Sequence, residues 1–381
     1  MRNISDTIAR LSAMRARQTA GMGHAGAASH LTPLTNFGSN PGALGASHHV
    51  PEDMPDGAPL VVVLHGCTQD AAGYDRHSGW SKLAAEAGFA VLYAEQQRGN
   101  NPNLCFNWFQ PGDARRGAGE AQSIRQMVEA MVVAHGLDRK RVFVTGLSAG
   151  GAMSATMLAA YPDVFSAGAI IAGLPHGSAS TVPEAFDRMR GHGGGSVEDL
   201  QRTLSGASNH SGPWPRISVW HGTADHTVAP SNADAIVAQW QGVHGLDADP
   251  SHAETAGRLT RQVWRDAAGE AVLEVNMIAG MGHGTPVGHD GLGSPGPYML
   301  DVGISSTRRI AGFWGIAEAE AVVTGRQTDA VSPAARPHRD ATGPVAARAA
   351  APKSGAYQPA AEATGVKKII EDALRTAGLM R

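Results

Sequence analysis

A serine in the run Val144-Thr145-Gly146-Leu147-Ser148-Ala149-Gly150-Gly151 stands between two glycines, in the pattern Gly-x-Ser-x-Gly. With 48 glycines among 381 residues the spacing alone says little, so its neighbours must decide. A serine hydroxyl attacks a carbonyl only when a base takes its proton and an acid holds that base. The apolar run "RVFVT" precedes Ser148 and the helix-compatible run "AGGAMSATMLAAYP" follows it. A sharp strand-to-helix turn there lifts the hydroxyl above a sheet edge, and Gly146 and Gly150 remove the side chains that would obstruct the turn. The amide of Ala149, at the helix start, then points toward a developing oxyanion.

An acid and a base are expected later in the chain, each just past a strand. "RISVW" runs into "HGTADHTV" and places Asp225; "LEVNMIAG" runs into "MGHGTPVG" and places His283. A second oxyanion donor is expected in the loop "LHGCTQD", where the N–H of Cys67 is the natural choice. His289 is the alternative base and Asp163 an alternative acid, though Asp163 reads better as part of a turn. His65 and His221, before glycines at strand ends, read as packed structural histidines. His192 and His210 read as surface residues. No His-Glu-x-x-His or Cys/His spacing suggests a metal, and the chemistry requires no cofactor.

The elements that would position these residues alternate. Short apolar runs ("PLVVVLHG", "FAVLYAEQ", "RVFVTG", "AGAIIAG", "RISVWHG", "LEVNMIAG") alternate with helical stretches ("GWSKLAAEAG", "GEAQSIRQMVEAMVVAHG", "NADAIVAQWQG"). This order predicts a mostly parallel, doubly wound α/β sheet with helices on both faces, binding its ligand at the C-terminal strand edge. The expected organisation is a short N-terminal helix and irregular lead-in over 1–40, then a catalytic domain over 41–320. A polar, glycine-rich insertion at 175–212 would cover the site. A disordered linker follows over 321–360, then an amphipathic helix over 361–381 whose stripe is Val366, Ile369, Ile370, Ala373, Leu374 and Ala377.

Composition narrows the function. Hydrophobic residues make up 42% and charged residues 17%, enough for a sizeable core. Net charge is −3 and the 31 basic residues are scattered, which argues against nucleic acid as a partner. No apolar run approaches the eighteen or so residues of a membrane span. "MRNISDTIARLSAMRARQTAG" lacks an apolar signal core, so a cytoplasmic location is expected. Cys67 and Cys105 are too few for a disulfide scaffold. They can be bridged or remain two buried thiols, and the thiols fit the cytoplasmic expectation better.

Taken together, "LHGCTQDAAGYDRHSGWSKLAAEAGFAVLYAEQ", "CFNWFQPGD", "GLSAGGAMSATMLAAYPDVFSAGAIIAG", "WHGTADHTV" and "GMGHGTPVG" resemble the esterases of the poly(3-hydroxybutyrate) depolymerase family, over about residues 38–315. The resemblance implies an α/β-hydrolase fold and a serine esterase acting through an acyl-enzyme. It carries the family's nucleophile onto Ser148, its acid onto Asp225, its base onto His283 and its oxyanion cysteine onto Cys67. The family's cleft tryptophan falls on Trp108. The expected substrate is an ester of 3-hydroxybutyrate or a related 3-hydroxyalkanoate oligomer. Feruloyl or acetylxylan esters are the alternative within this architecture. A granule-associated protein with a vestigial triad is the alternative outside enzymes. The C-terminal stripe would pack on the protein's own body or on a second subunit, or dock on a polymer granule or a granule coat protein.

Overall fold

The computed structural model describes residues 30–318. The N-terminal helix expected over residues 1–20, the linker over 321–360 and the helix over 361–381 lie outside the described residues.

All six expected apolar runs form strands, because each is β-branched, short and closed by glycine or a polar turn. They are β3 (Leu60–Leu64), β4 (Ala90–Glu95), β5 (Val142–Leu147), β6 (Ala167–Ile171), β7 (Arg216–Gly222) and β10 (Ala271–Ile278). They lie in the order β4-β3-β5-β6-β7-β10, every neighbouring pair parallel. Antiparallel strands extend both sides: β2 (Gly45–His49) and β1 (Thr32–Pro33) beyond β4, and β9 (Leu259–Arg265) and β8 (His252–Ala256) beyond β10. The sheet thus begins at Thr32, inside the stretch that reads as an irregular lead-in, because two-residue pairing leaves no periodic signal. A separate parallel pair joins β11 (Thr285–Val287) to β12 (Met299–Asp301).

Helices cover both faces: α1 (Ala71–Ser78), α2 (Trp80–Ala87), α3 (Gly119–His135), α4 (Ala149–Ala160), α5 (Val182–Met189), α6 (Val197–Ser205), α7 (Ser231–His244) and α8 (Ser306–Trp314). The alternation of β3 shows how the sheet divides the core. Leu60, Val62 and Leu64 pack with α3, α4 and α7, while Val61 and Val63 pack with α1, α2 and α8. All five are fully buried, as a central strand covered on both faces requires.

The 175–212 insertion contains two helices, α5 and α6. Thr181 caps α5, and Ser196 closes a reciprocal capping box on α6 with Asp199. Gln239 of α7 fastens the insertion to the body. Its amide nitrogen donates to the carbonyls of His176 (2.9 Å) and Leu200 (3.2 Å), and its oxygen accepts the His176 N–H (3.0 Å).

Candidate active site

Ser148 sits at the junction of β5 and α4 with φ 57° and ψ −117°, a strained conformation for a residue with a side chain. It is held there from both ends. Its N–H donates to the Ile171 carbonyl and its carbonyl accepts the Ala152 N–H, each at 2.9 Å. The two flanking glycines are sterically required. A Cβ on Gly146 would lie 2.7 Å from the Leu64 carbonyl oxygen, and one on Gly150 would lie 2.5 Å from that of His65. The start of α4 is therefore pressed against the exit of β3. This brings Ala149, the first residue of α4, beside the loop that carries Cys67.

Asp225 and His283 leave neighbouring strands. β7 and β10 are paired to their last residues, Gly222 opposite Ile278, so both loops emerge at the same sheet edge. A Cβ on Gly222 would lie 2.7 Å from the Gly282 carbonyl oxygen, so this glycine lets the two loops touch. Across that contact His283 Nδ1 donates to Asp225 Oδ2 at 2.7 Å. Asp225 Oδ1 accepts the N–H groups of Thr227 (2.8 Å) and Val228 (2.9 Å). Burial pushes the Asp225 carboxyl up, but the contacts from His221 and His283, the charge of His283 and the Val228 amide outweigh it. The group is held well below the usual carboxylate range. An ionised carboxylate behind Nδ1 selects the tautomer whose Nε2 is free to accept a proton.

The remaining histidines and acids fall elsewhere. His221 is fully buried, with Nε2 3.0 Å from the Val228 carbonyl and 3.4 Å from Asp225 Oδ2. It supports the acid from below, four residues upstream, a spacing visible in "HGTAD". His65 Nε2 accepts the Gln96 N–H (3.1 Å) while Nδ1 donates to the Gly66 carbonyl (2.7 Å), which is a structural role. His289 is exposed and paired with Asp301 at 2.9 Å, away from Asp225. Asp163 makes a two-pronged surface pair with Arg116 (2.6 and 2.8 Å). His192 is exposed, and His210 hydrogen-bonds the Pro213 carbonyl at 2.9 Å.

Cys67 and Cys105 form a disulfide, Cα–Cα 4.2 Å, where the sequence favours two thiols. Thr68 N–H donates to the Asn103 carbonyl at 2.8 Å, which sets the two loops side by side and brings the sulfurs within bonding reach. The bridge ties the Cys67 loop to the segment that carries Trp108. Trp108 itself is 5% exposed and stands at right angles to the Phe109 ring. Tyr298 was not legible as a site residue. Its ring stands edge-on to the His283 imidazole, centroids 6.2 Å apart, from a segment with turn residues alone as a signal.

Among the described residues no cluster of His, Cys, Asp and Glu could hold a metal ion, and no helix is long and apolar enough to cross a membrane. The family model "Esterase PHB depolymerase" matches residues 46–264. The chain is 48% identical over 293 residues to poly(3-hydroxyalkanoate) depolymerase C of Paucimonas lemoignei, covering 75% of this chain and 70% of that protein. It is 31% identical to an acetylxylan esterase of Coprinopsis cinerea, covering 68% and 70%. Among solved structures, an acetyl xylan esterase from Aspergillus awamori superposes with a TM-score of 0.66 at 26% identity, over 75% of this chain and 99% of that one.

Proposed function

The chain belongs to the esterase PHB depolymerase family and is a carboxylic-ester hydrolase of α/β-hydrolase fold, and on that footing we propose that it cleaves 3-hydroxyalkanoate oligomers with Ser148 as nucleophile. Ser148 Oγ attacks the ester carbonyl as His283 Nε2 takes its proton. Asp225 holds the imidazole and stabilises its charged form. The amides of Cys67 and Ala149 receive the charge that develops on the carbonyl oxygen. His283 then returns the proton to the departing alkoxide, leaving an acyl-serine. Water, deprotonated by the same imidazole, releases the acid and restores the serine. The observation that carries the mechanism is the 2.7 Å Asp225–His283 bond at the sheet edge where the strained Ser148 turn emerges.

The substrate class rests on the 48% identity to the depolymerase, against 31% to the acetylxylan esterase. Acetylxylan or feruloyl esters are the second reading, favoured by the superposition on the Aspergillus awamori enzyme. The acid–base pair is intact, which weighs against a vestigial site. Relative rates on 3-hydroxybutyrate oligomers, acetylated xylan and methyl ferulate test the choice. Preference for acetylated xylan or for methyl ferulate would overturn the polyester reading. Ser148→Ala should remove activity on every ester, by about 10³-fold or more.

The disulfide favours an oxidising compartment over the cytoplasmic expectation. The apolar stripe at 366–377 supports association with polymer granules or with a second copy of the chain. Cosedimentation of full-length protein and protein lacking residues 361–381 tests the granule reading. Equal binding by both would remove the stripe from that role.

A further inference from the structure

Thr68 and Tyr298 both stand at positive φ, 65° and 61°, in the left-handed region where a side chain is strained and a β-branched one most of all. Backbone strain of this kind persists only where the surroundings over-determine it. Here the two strained residues meet: the Thr68 side chain contacts the Tyr298 phenol. Next to that contact, Gln69 Oε1 accepts the Gly66 N–H at 2.8 Å, and Gln69 Nε2 donates to the Pro297 carbonyl at 3.1 Å. The loop that carries Cys67 is thus joined at two consecutive residues to the segment 297–298. That segment is joined in turn to the base. The Tyr298 ring lies edge-on to His283, and its carbonyl accepts the Thr285 N–H at 2.8 Å. Gly284, next to His283, leaves no room for a Cβ, which would lie 2.6 Å from the same carbonyl oxygen. On its other side the Cys67 loop is anchored by the disulfide and by the Thr68–Asn103 bond.

We propose that Thr68 and Gln69 on one loop and Pro297 and Tyr298 on the other form a strained clasp that sets the spacing between the Cys67 amide and the His283 imidazole. Thr68, Gln69 and Tyr298 are then positioning residues for ester hydrolysis. Oxyanion donors work only when they are pre-set to within a fraction of an ångström, and a misplacement costs rate and not ground-state binding. The clasp rests on the roles proposed for Ser148, His283 and Cys67.

Two substitutions separate positioning from support of the fold. Thr68 is exposed, so Thr68→Gly gives up little packing, relieves the backbone and removes the contact to the phenol. Gln69→Glu keeps the acceptor for Gly66 but cannot donate to Pro297. With p-nitrophenyl butyrate, each should lower kcat about tenfold with KM within about twofold of the parent. The Tm of Thr68→Gly should be no lower than that of the parent. Thr68→Gly with Gln69→Glu should lose little more than the worse single variant, since both open one clasp. A kcat within twofold of the parent in both single variants overturns the clasp. So does a loss of kcat that comes with an equal fall of Tm in both. Ser148→Ala, measured alongside, keeps the two readings distinct. If it still turns over, the site assignment fails; if it is inactive beside fully active clasp variants, the clasp alone fails.

Discussion

The most constrained residue of the site carries no side chain. Gly150 lies so close to the carbonyls of Leu64 and His65 that one added methyl would have to push α4 off the exit of β3. Gly150→Ala is therefore expected to destabilise the fold by about 2 kcal/mol or more and to misplace the Ala149 amide. Thermal unfolding together with turnover would show both losses. An alanine variant of parental stability would mean that the elbow has slack that the backbone distances deny. Asp225→Asn keeps the shape but loses the charge that selects the His283 tautomer, so its loss should lie in kcat with the fold preserved. Ser148, Asp225 and His283 could be singled out because each lies at or within a few residues of the end of an apolar run, and strand ends are the one place where sequence order reports position in space. Tyr298 was not, since its contact with His283 is set by a loop with no periodicity.

The disulfide and the insertion belong to the scale of elements. The bridge closes a loop 38 residues apart in sequence, and the entropy it removes from the unfolded chain corresponds to about 4 kcal/mol. Replacing Cys67 and Cys105 together by serine should lower stability by an amount of that order while leaving the Cys67 amide in place. Denaturant titration of the two proteins measures it, and an unchanged midpoint would show that the loops hold without the bond. Two cysteines admit a single pairing, so the sequence left open only whether it forms, and the lack of an apolar signal core tilted that reading toward thiols. The insertion was legible as a polar interruption, but its helices were not, because α5 and α6 bury only Ala185, Leu200 and Leu204. Gln239 holds α6, and Asn232 and Ala229 hold the end of α5 by donating to the carbonyls of Arg188 (3.0 Å) and Met189 (2.7 Å), which leaves the glycine-rich stretch Gly191–Gly195 between two fastened helices. Shortening that stretch should alter the ratio of rates on short and long acyl esters. Equal losses on all esters would mark it as a structural brace.

At the scale of the whole molecule, buried titratable groups give the fold a pH window. Burial lowers His65, His176, His244, His48 and His49, and takes His176 down to about 4. As pH falls through about 6.5 the unfolded chain takes up protons that the folded chain refuses, so stability is lost on the acid side. His176 alone contributes about 3 kcal/mol to that loss by pH 4. Glu120 acts in the opposite sense. Burial raises it to about 8, against bonds from Gln96, Asn107 and Asn100, so its contribution is present below about 4.5 and lost as pH rises through 8. Unfolding midpoints measured across pH should fall on both sides of a maximum. His176→Asn should flatten the acid side and Glu120→Gln the alkaline side. A parental profile in either variant would show that another group governs that limb. The parallel core of the sheet was legible from its six apolar runs, whereas β1, of two residues, and β8, mostly exposed, gave no signal to read.

The pairing of β10 with β7 has a consequence in time. Chain order places α7 and the β8–β9 hairpin between these two strands, so Gly222 meets Ile278 only by closing a loop of more than fifty residues. Local helices and neighbouring parallel strands form sooner than so distant a contact. A refolding chain can therefore have its elbow turned and its helices wound while the imidazole is still far from the carboxylate. Hydrolysis reports the closing of that one seam. After dilution from denaturant with the bridge intact, the far-ultraviolet signal should recover first, with turnover lagging behind it. Turnover that kept pace with helicity would mean the distant strand had already docked when the helices formed.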